Sequence, residues 1–316
     1  MNILFIGMGY MGYERLKAII NLKNKFKFRN LYYFDPKVKS IKYKNCKIES
    51  ITKLSYKYFK EKNINICIIS TPHHLIKKYS LFCLRSKLPI SLIIEKPFGV
   101  SFKESKTIVK EKNHNQKIFI GLNYRFFSGI NLMLKDIKNN KFGKISSIQI
   151  NFGHGHSPKI LKSWKLKKKT AGGGVILDPG IHIINLIQLI CKNNIKLEYI
   201  SKSENFWKTG IEDEATLIFS SKKIPIINLS LSIIKWKSTF EIKGNGIKGY
   251  WILKGRGRSY GPQKYITGKR WGWLTGKKQK TTEVLKSNSN ENFVFQKETQ
   301  EILNKIFNRK VSINPC

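Results

Sequence analysis

Residues 1–12 read MNILFIGMGYMG and give the strongest indication of the fold. Its apolar run ILFIG leads into glycines at positions 7, 9 and 12, and a pattern of helical spacing follows. A strand that enters a G-x-G-x-x-G turn and then a helix is typical of a dinucleotide-binding unit. In such a unit Gly7 permits the tight turn, Gly9 lets a pyrophosphate approach the backbone, and Gly12 allows close packing of the helix on the strand.

Short apolar runs alternate with helical patterns from this turn to residue 121. The predicted strands are LYYFD, INICIIS, ISLIIE and KIFIG, and the predicted helices are HLIKKYSLFCLRS and SFKESKTIVKEK, the second opening on Ser101. Uninterrupted apolar strands separated by helices indicate a parallel sheet that is covered on both faces. We therefore predict an α/β Rossmann domain, a doubly wound parallel sheet, over residues 1–121.

Residues 122–316 have a different pattern, which predicts a second, α+β domain. The predicted strands are SSIQINF, EATLIFS, IPIINLSLSII, STFEIKG and GYWILKG. Apolar and polar residues alternate along the first of them, which indicates a sheet with one buried face. One helix is expected over PGIHIINLIQLICK, and an amphipathic helix over about 292–307 is expected to pack back toward the first domain.

The formal net charge of +41 raises the possibility of a polyanionic partner. Only eight of the 60 basic residues are Arg, although bidentate recognition of phosphates and bases favours Arg. The lysines are spread along the chain, and Ile and Asn are abundant with them, as an AT-rich genome would produce. We favour this compositional origin, and keep a polyanion- or nucleic-acid-binding protein, or a non-catalytic nucleotide sensor on the same scaffold, as the alternative.

The five cysteines are odd in number and show no C-x-x-C spacing, so neither a disulfide framework nor a zinc site is expected. The chain begins with a strand instead of a basic leader, and its most apolar run falls short of the roughly 20 residues that span a bilayer. We expect a soluble, cytoplasmic protein with no metal and no membrane partner.

Asp35 completes the expected cofactor site. It ends the second strand 23 residues after Gly12, where a carboxylate accepts hydrogen bonds from the ribose hydroxyls of NAD and repels the 2′-phosphate of NADP. Lys37 and Lys39 follow closely, so NAD is favoured and NADP stays open. Within the turn, the expected contacts are Gly7, Gly9, Tyr10, Met11 and Gly12.

The segment AGGGVILDPGIH, residues 171–182, places a carboxylate and an imidazole four positions apart in an apolar stretch. Pro179 is tolerated only near a helix start, so Asp178 is expected at or beside the N-cap and His182 one turn later. The glycines would let this helix start approach a nicotinamide closely. The alternative is structural: Asp178 caps the helix and His182 is a hydrogen-bonded core residue.

Five segments in order resemble the glucose–fructose oxidoreductase/inositol dehydrogenase (Gfo/Idh/MocA) family. They are GMGYMG, STPHHL (70–75), IIEKPFG (93–99), GLNYRF (121–126) and GGGVILDPGIH (172–182). The resemblance covers nearly the whole chain. It implies a two-domain oxidoreductase with its active site in the cleft between domains, a cis peptide before Pro97, and an open, mostly antiparallel second sheet that builds a homodimer or homotetramer.

The resemblance also implies roles for individual residues. His182 is expected to be the general acid/base, Lys96 to hydrogen-bond the reacting oxygen, and Asp178 to bind a substrate hydroxyl. Further expected cofactor contacts are Thr71, Pro72, Glu95, Lys96 and Pro97, and further expected substrate contacts are Asn123, Arg125 and Trp164. The implied reaction is NAD(P)-dependent hydride transfer to or from a secondary hydroxyl or ketone of a sugar, polyol or sugar nucleotide.

Two other motifs carry weaker signals. Residues 254–280 interleave Gly, Arg and aromatic rings, which suits base stacking or a sugar nucleotide, although an exposed loop or a subunit interface is favoured. His154 and His156 lie in FGHGHS, where no carboxylate or thiol accompanies them in the sequence. We expect them to be exposed turn residues, not metal ligands.

Overall fold

The computed structural model describes residues 1–44, 46–269, 281–287 and 291–308. The chain forms two compact units. The first comprises residues 1–122 and 169–172 together with the stretch that begins at residue 292, and the second comprises residues 123–168 and 173–291.

The first unit is built on a parallel sheet. Its strands are β1 (Asn2–Ile6), β2 (Leu31–Phe34), β3 (Glu49–Ser50), β4 (Ile64–Ile69), β5 (Ser91–Glu95) and β6 (Lys117–Gly121). Its helices are α1 (Tyr10–Asn21), α2 (Tyr56–Glu61), α3 (His73–Arg85) and α4 (Phe102–Glu111). The strand order is β3-β2-β1-β4-β5-β6 and every pairing is parallel, which confirms the predicted doubly wound sheet.

Both faces of this sheet are buried. Successive residues of β1 enter opposite core clusters, Leu4 on one face and Phe5 on the other, and both are fully buried. The other central strands alternate in the same way. This two-sided burial explains why their sequences are continuously apolar.

The second unit is built on a mixed sheet. Its elements are α5 (Ser128–Lys138), β7 (Ile145–Gly153), α6 (Lys168–Ala171, mostly in the first unit), α7 (Gly180–Ile190), β8 (Lys196–Ser203), β9 (Glu214–Ser220), β10 (Ile226–Ser232), β11 (Thr239–Gly246), β12 (Gly249–Lys254), β13 (Gln263–Lys269) and β14 (Thr281–Ser287). The order is β14-β13-β12-β11-β7-β10-β9-β8, and within it β7 and β10 are parallel while the other neighbours are antiparallel. The predicted open, mostly antiparallel sheet is confirmed.

The interpretation of residues 254–280 as an exposed loop is wrong for residues 263–269. These residues form β13, which pairs with β12 and β14, and its alternate side chains Gln263, Tyr265 and Thr267 are buried. Because this strand alternates small, polar and aromatic residues, its sequence did not show which face is buried. Arg270, Trp271 and Trp273 lie outside the described residues.

The last helix is α8 (Glu291–Ile306). Ile302 and Leu303 belong to the core cluster of the first unit that contains Ile3 and Phe5. Among the described residues, no helix combines the length and the apolar character needed to cross a membrane.

Candidate active site

The glycine turn after β1 has two filled positions and one open position. Gly7 has φ +87°, and a Cβ there would lie 2.7 Å from the carbonyl oxygen of Ser70. A Cβ at Gly12 would lie 2.1 Å from the carbonyl oxygen of Gly7. A Cβ at Gly9 would meet no described atom within 4 Å. Only the second glycine therefore faces open space.

Gly9 is also the N-cap of α1, where no side chain caps the helix. The first amide groups of a helix lack partners within the helix, and together with the helix dipole they bind anionic groups such as phosphates. The open position at Gly9 and the uncapped helix start fit the pyrophosphate of a dinucleotide. Of the two residues that follow, Tyr10 is 57% exposed and Met11 is half-buried.

Asp35 lies directly against this turn. Its Oδ2 accepts a hydrogen bond from the Met8 amide at 2.7 Å, and its Oδ1 accepts one from the Lys37 amide at 2.8 Å. Each carboxylate oxygen has a second acceptor position. The carboxylate is thus held in place by backbone amides and can still receive ribose hydroxyl groups.

The loop between β4 and α3 places two hydroxyl groups beside Gly7. Ser70 Oγ and Thr71 Oγ1 are buried, and neither has a hydrogen-bond partner among the described residues. Buried hydroxyls without partners are costly, so a bound polar group is the natural partner. Pro72 is the N-cap of α3, and the buried His73 ring forms a hydrogen bond through Nδ1 with the Ala171 carbonyl at 2.9 Å.

The end of β5 carries the Glu-Lys-Pro motif. The Lys96–Pro97 peptide bond is cis, which confirms the expectation from the resemblance. Lys96 is half-buried, and Pro97 is buried. Their roles as catalytic or cofactor contacts remain predictions.

Glu95 belongs to a buried ion cluster within the first unit. Arg15 on α1 donates through Nε to Glu95 Oε1 at 2.5 Å, and its Nη1 lies 2.7 Å from Glu298 Oε2 on α8. Arg15 is 1% exposed. Burial alone would lower the pKa of Arg15, but the carboxylates of Glu298 and Glu95 outweigh it and hold the pKa above its ordinary value. Neither Arg15 nor Glu298 was predicted from the sequence, and a cofactor contact by Glu95 remains a prediction.

The glycines of segment 171–182 are packed against protein backbone. A Cβ at Gly172 would lie 2.5 Å from the Val100 carbonyl oxygen, and one at Gly174 would lie 1.9 Å from the Glu212 carbonyl oxygen. These two glycines are therefore required by close packing against backbone, and the approach of this helix start to a nicotinamide remains a prediction.

Glu212 holds the loop that precedes Asp178. Its Oε1 accepts hydrogen bonds from the amides of Gly174 at 2.9 Å and Ile176 at 3.3 Å, and its carbonyl accepts one from Val175 at 2.9 Å. We did not predict this role. The acidic run GIEDEA, residues 210–215, in a chain with only 19 acidic residues, was the available signal.

Asp178 directly precedes Pro179, the N-cap of α7, as predicted. Its Oδ2 lies 3.7 Å from Lys165 Nζ, and the Asp178–Pro179 peptide is cis, which we did not predict. His182 is 6% exposed and stacks on Tyr124 with ring centroids 4.0 Å apart and an angle of 6° between planes. The parallel rings fix the plane of the imidazole.

The predicted substrate contacts also lie in the second unit. Asn123 is 9% exposed, and its Oδ1 is buried with no hydrogen-bond partner in the described part of the chain. Arg125 lies over the Phe126 ring at 4.9 Å, and Trp164 begins a short 3₁₀ turn that includes Lys165. The structure thus places Asp178, His182 and these three residues in one unit and Lys96 in the other.

The expectation that His154 and His156 are exposed turn residues is wrong. Both are half-buried, and the Asp178 carboxylate is close enough to influence the pKa of each ring. The fold brings this carboxylate near from a distant segment, which sequence spacing could not show. No group of three or more metal-binding side chains occurs within the residues that the structure describes.

Two family models match the chain. The model of the oxidoreductase family with an NAD-binding Rossmann fold matches residues 1–123, and the model of the GFO/IDH/MocA C-terminal domain matches residues 132–249. The chain belongs to the Gfo/Idh/MocA oxidoreductase family. This match does not favour the alternative of a polyanion-binding protein.

Curated relatives match parts of the chain. Glucose-6-phosphate 3-dehydrogenase of Bacillus subtilis (strain 168) is 27% identical over 157 residues, which are 48% of this chain and 43% of that protein. The 2,7-anhydro-N-acetylneuraminate hydratase of Escherichia coli (strain K12) is 24% identical over 255 residues, 78% of this chain and 66% of that protein. The chain therefore spans less than two thirds of the length of either relative.

Among solved structures, levoglucosan dehydrogenase in complex with NADH and levoglucosan has a TM-score of 0.79 at 14% identity. The match covers 100% of this chain and 92% of that chain. It confirms the fold.

Proposed function

We propose that this protein is an NAD-dependent oxidoreductase that transfers a hydride between the nicotinamide and a secondary alcohol or ketone carbon of a sugar, polyol or sugar nucleotide. The observation that carries the proposal is the open, uncapped helix start at Gly9, with Asp35 fixed beside it, in a chain that also carries Lys96, Asp178 and His182. Bound NAD supplies the hydride acceptor, and NADH the donor.

The first unit holds the dinucleotide. The amides at Gly9, Tyr10 and Met11 bind the pyrophosphate, and the Asp35 carboxylate accepts from the ribose hydroxyls. Ser70 and Thr71 supply hydroxyl groups to the same ligand. Because Asp35 is anionic and held by two amides, NAD is preferred to NADP, although Lys37 and Lys39 lie nearby.

His182 takes the proton of the substrate hydroxyl in the oxidative direction, while the hydride leaves the same carbon and a ketone forms. In the reductive direction it returns that proton to the oxygen. A neutral imidazole whose pKa is near neutrality suits both directions. Lys96 donates a hydrogen bond to the reacting oxygen and stabilises its developing negative charge. Asp178 accepts from a neighbouring hydroxyl of the substrate and fixes its orientation.

The names of the relatives support a carbohydrate substrate. Glucose-6-phosphate 3-dehydrogenase and levoglucosan dehydrogenase are named for sugar substrates, and the hydratase for a neuraminate. We extend the substrate class, but no particular sugar, to this chain.

The test is to follow nicotinamide absorbance with the full-length protein, NAD or NADP, and a panel of sugars, polyols and UDP-sugars. Lys96→Met and His182→Asn are each expected to lower kcat/KM by about 10²–10⁴-fold. Lys103→Met and His114→Asn, both at exposed positions of the first unit, are the matched controls and should retain activity. Unchanged turnover in the Lys96 and His182 variants would exclude this mechanism.

We also propose that the outer face of the second sheet forms the interface between subunits of a homo-oligomer. One row of residues on this face crosses six strands of the sheet and consists of Ile218, Asn228, Gln149, Lys243, Ile252 and Ile266. Residues on the opposite face of these strands, such as Leu217, Ile242 and Leu253, are buried. Sedimentation equilibrium of Ile252→Lys should show a smaller assembly than wild type. Ile247→Lys, at an exposed position outside this row, should not. A monomeric wild-type protein would refute the proposal.

A further inference from the structure

A cavity of about 270 Å³ lies in the first unit, away from the glycine turn. It is lined by Leu31 and Tyr32, which are the first two residues of β2. Strands β1 and β2 are parallel, and the Gly7 turn and Asp35 directly follow their last residues. The proposed dinucleotide contacts therefore lie at the carboxyl ends of these strands, whereas the cavity lies at the amino end of β2.

The inner wall of the cavity is apolar. Ile19 and Ile20 in the last turn of α1 line it together with Tyr32, and all three are buried. Phe28 and Leu31 line it as half-buried residues. The volume is close to the lower end of the range of about 300–1,000 Å³ that is typical of small-molecule pockets. Since a water molecule takes up about 30 Å³ in the liquid, the cavity has room for an organic molecule of roughly ten non-hydrogen atoms.

Three cations from separate segments border the same cavity. They are Lys23 after the end of α1, Arg29 before β2 and Lys47 before β3. None of their side chains forms an ion pair or a hydrogen bond with another residue in the described part of the chain. An unpaired lysine is ordinary in a chain with 60 basic and 19 acidic residues. Three unpaired cations around one apolar cavity repel one another, and an anion between them would relieve that repulsion.

Little negative charge from the protein reaches this cavity. Glu49 also lines it, but the Glu49 carboxylate is paired with Lys62, whose Nζ lies 3.3 Å from Oε1. The carbonyl groups of Ile19 and Ile20 carry the partial negative charge of the end of α1. Both accept hydrogen bonds from backbone N–H groups just after the helix, at 3.0 and 3.1 Å. The cavity therefore combines an apolar wall with a cationic rim.

We propose that this cavity binds a small organic anion, whose apolar body carries one carboxylate or one phosphate ester. The apolar body packs against the inner wall, and the three cations of the rim hold the anionic group. Among these cations, Arg29 can donate two parallel hydrogen bonds to a carboxylate or a phosphate. The site is separate from the proposed dinucleotide site and does not rest on the proposed reaction.

Titration calorimetry of the full-length protein tests the proposal with phenylacetate, phenyl phosphate, inorganic phosphate and phenylacetamide. Phenylacetamide is a neutral molecule with nearly the shape of phenylacetate. At least one of the two organic anions should bind at least about tenfold more tightly than phenylacetamide and inorganic phosphate, because it engages both the wall and the cations. The organic anion that binds more tightly identifies the group that the cavity takes. If phenylacetamide or inorganic phosphate binds as tightly as both organic anions, the proposal is wrong.

A double variant tests the role of the cationic rim. Arg29→Gln combined with Lys47→Gln removes two cations and keeps polar side chains, and it should raise the Kd of the bound organic anion at least about tenfold. The matched control combines Lys103→Gln and Lys106→Gln, at exposed positions of α4. The control lowers the net charge equally and should bind the anion as wild type does. Equal losses in both double variants would mean general attraction to a cationic chain, and would overturn the proposal.

Cys46 reports where the anion binds. It lines the cavity and is half-buried, whereas the other described cysteines are buried. The measurement uses a Cys316→Ser background, because Cys316 lies outside the described residues. A saturating organic anion should slow the labelling of Cys46 by iodoacetamide several-fold, as followed by mass spectrometry, and phenylacetamide at the same concentration should not. Unchanged labelling would place the anion elsewhere and refute the site.

This proposal and the proposed function fail in different ways. Saturating NADH should leave the Kd of the organic anion unchanged. If NADH displaces the anion, the anion occupies the dinucleotide site, so the cavity proposal is refuted and the oxidoreductase proposal stands. If NADH does not bind, the oxidoreductase proposal is refuted, and the titrations without NADH still decide whether the cavity takes an anion.

Discussion

The two units of the chain build their candidate site residues in different ways. In the first unit, backbone geometry shapes the expected pyrophosphate site: a glycine turn and an uncapped helix start directly after a strand, with Asp35 held beside them by backbone amides. In the second unit, side chains from separate segments make it, since Tyr124, His154, Lys165, Asp178 and Arg256 come from five different stretches of sequence.

The two units are therefore expected to tolerate substitutions at different positions. A site made of backbone depends on local residues such as Gly7, whose φ of +87° favours glycine. A site made of side chains depends on strand register, and its chemistry changes when one contributor changes. We therefore expect the first unit to fix the cofactor and the second to fix the substrate.

Arg15→Met is expected to have the largest effect on stability. The substitution leaves the carboxylates of Glu95 and Glu298 buried without their cation, and breaking a buried ion pair costs about 3–5 kcal/mol. The apparent free energy of unfolding in urea measures the loss. Lys57→Met on α2 is the control, because its exposed pair with Glu61 should contribute no more than about 1 kcal/mol. If both variants lose the same free energy of unfolding, the packing of α8 does not depend on this ion cluster.

The pair Gly12→Ala and Gly174→Ala compares the two units directly. Each added Cβ would lie about 2 Å from a carbonyl oxygen, that of Gly7 or of Glu212, so each should cost about 1–3 kcal/mol through backbone displacement. Gly12→Ala should also weaken NADH binding, measured by fluorescence titration, by at least tenfold. Gly174→Ala should leave NADH binding intact and lower kcat. A Gly174 variant that loses NADH binding would contradict the division between the units.

The first unit was the easier one to predict because its strands are covered on both faces. Continuous apolar runs such as ISLIIE marked β5 within one residue. The elements missed there, β3 and α2, have two and six residues, too few for a periodic pattern. In the second unit β8 was missed because nearly all of its residues are exposed, and α5 because its short helical pattern lies next to the motif that begins the domain.

The candidate site was predictable where spacing along the chain carries the information. Lys96, Asp178 and His182 stand in local motifs. The contacts of His154 with Tyr260, and of Asp178 with Lys165, depend on which strand ends and loops the sheet brings together. No pattern within a single segment encodes that proximity, so these residues were either overlooked or interpreted as turn residues.

Glu212→Gln tests whether the second unit holds Asp178 through one side chain. The side-chain oxygen of Gln can still accept hydrogen bonds from the amides of Gly174 and Ile176, but it is uncharged. A hydrogen bond to a charged group contributes about 1.5–3 kcal/mol, and the substitution weakens it. The expected loss of stability is about 1 kcal/mol. The informative readout is the kinetic one: kcat should fall several-fold while the affinity for NADH is unchanged. Glu214→Gln, at an exposed position at the start of β9, is the control. A variant with normal kcat would show that backbone contacts alone hold the loop.

Ser101→Ala is expected to have the smallest effect and sharpens the claim that the first unit is organised locally. Ser101 is the N-cap of α4, where its Oγ accepts from the Glu104 amide at 3.3 Å, and the Glu104 carboxylate in turn accepts from the Val100 amide at 3.0 Å. Loss of an N-cap costs about 0.5–2 kcal/mol, and the lower half of that range applies because this helix start is exposed. Because the cap lies five residues after Lys96, Ser101→Ala should also lower kcat slightly. The control is Ser55→Ala, which removes the equivalent cap of α2. It should lower stability by a similar amount and leave kcat unchanged. Parallel urea unfolding and steady-state kinetics separate the two cases, and identical kinetics would mean that the Lys96 loop keeps its conformation without the helix that follows it.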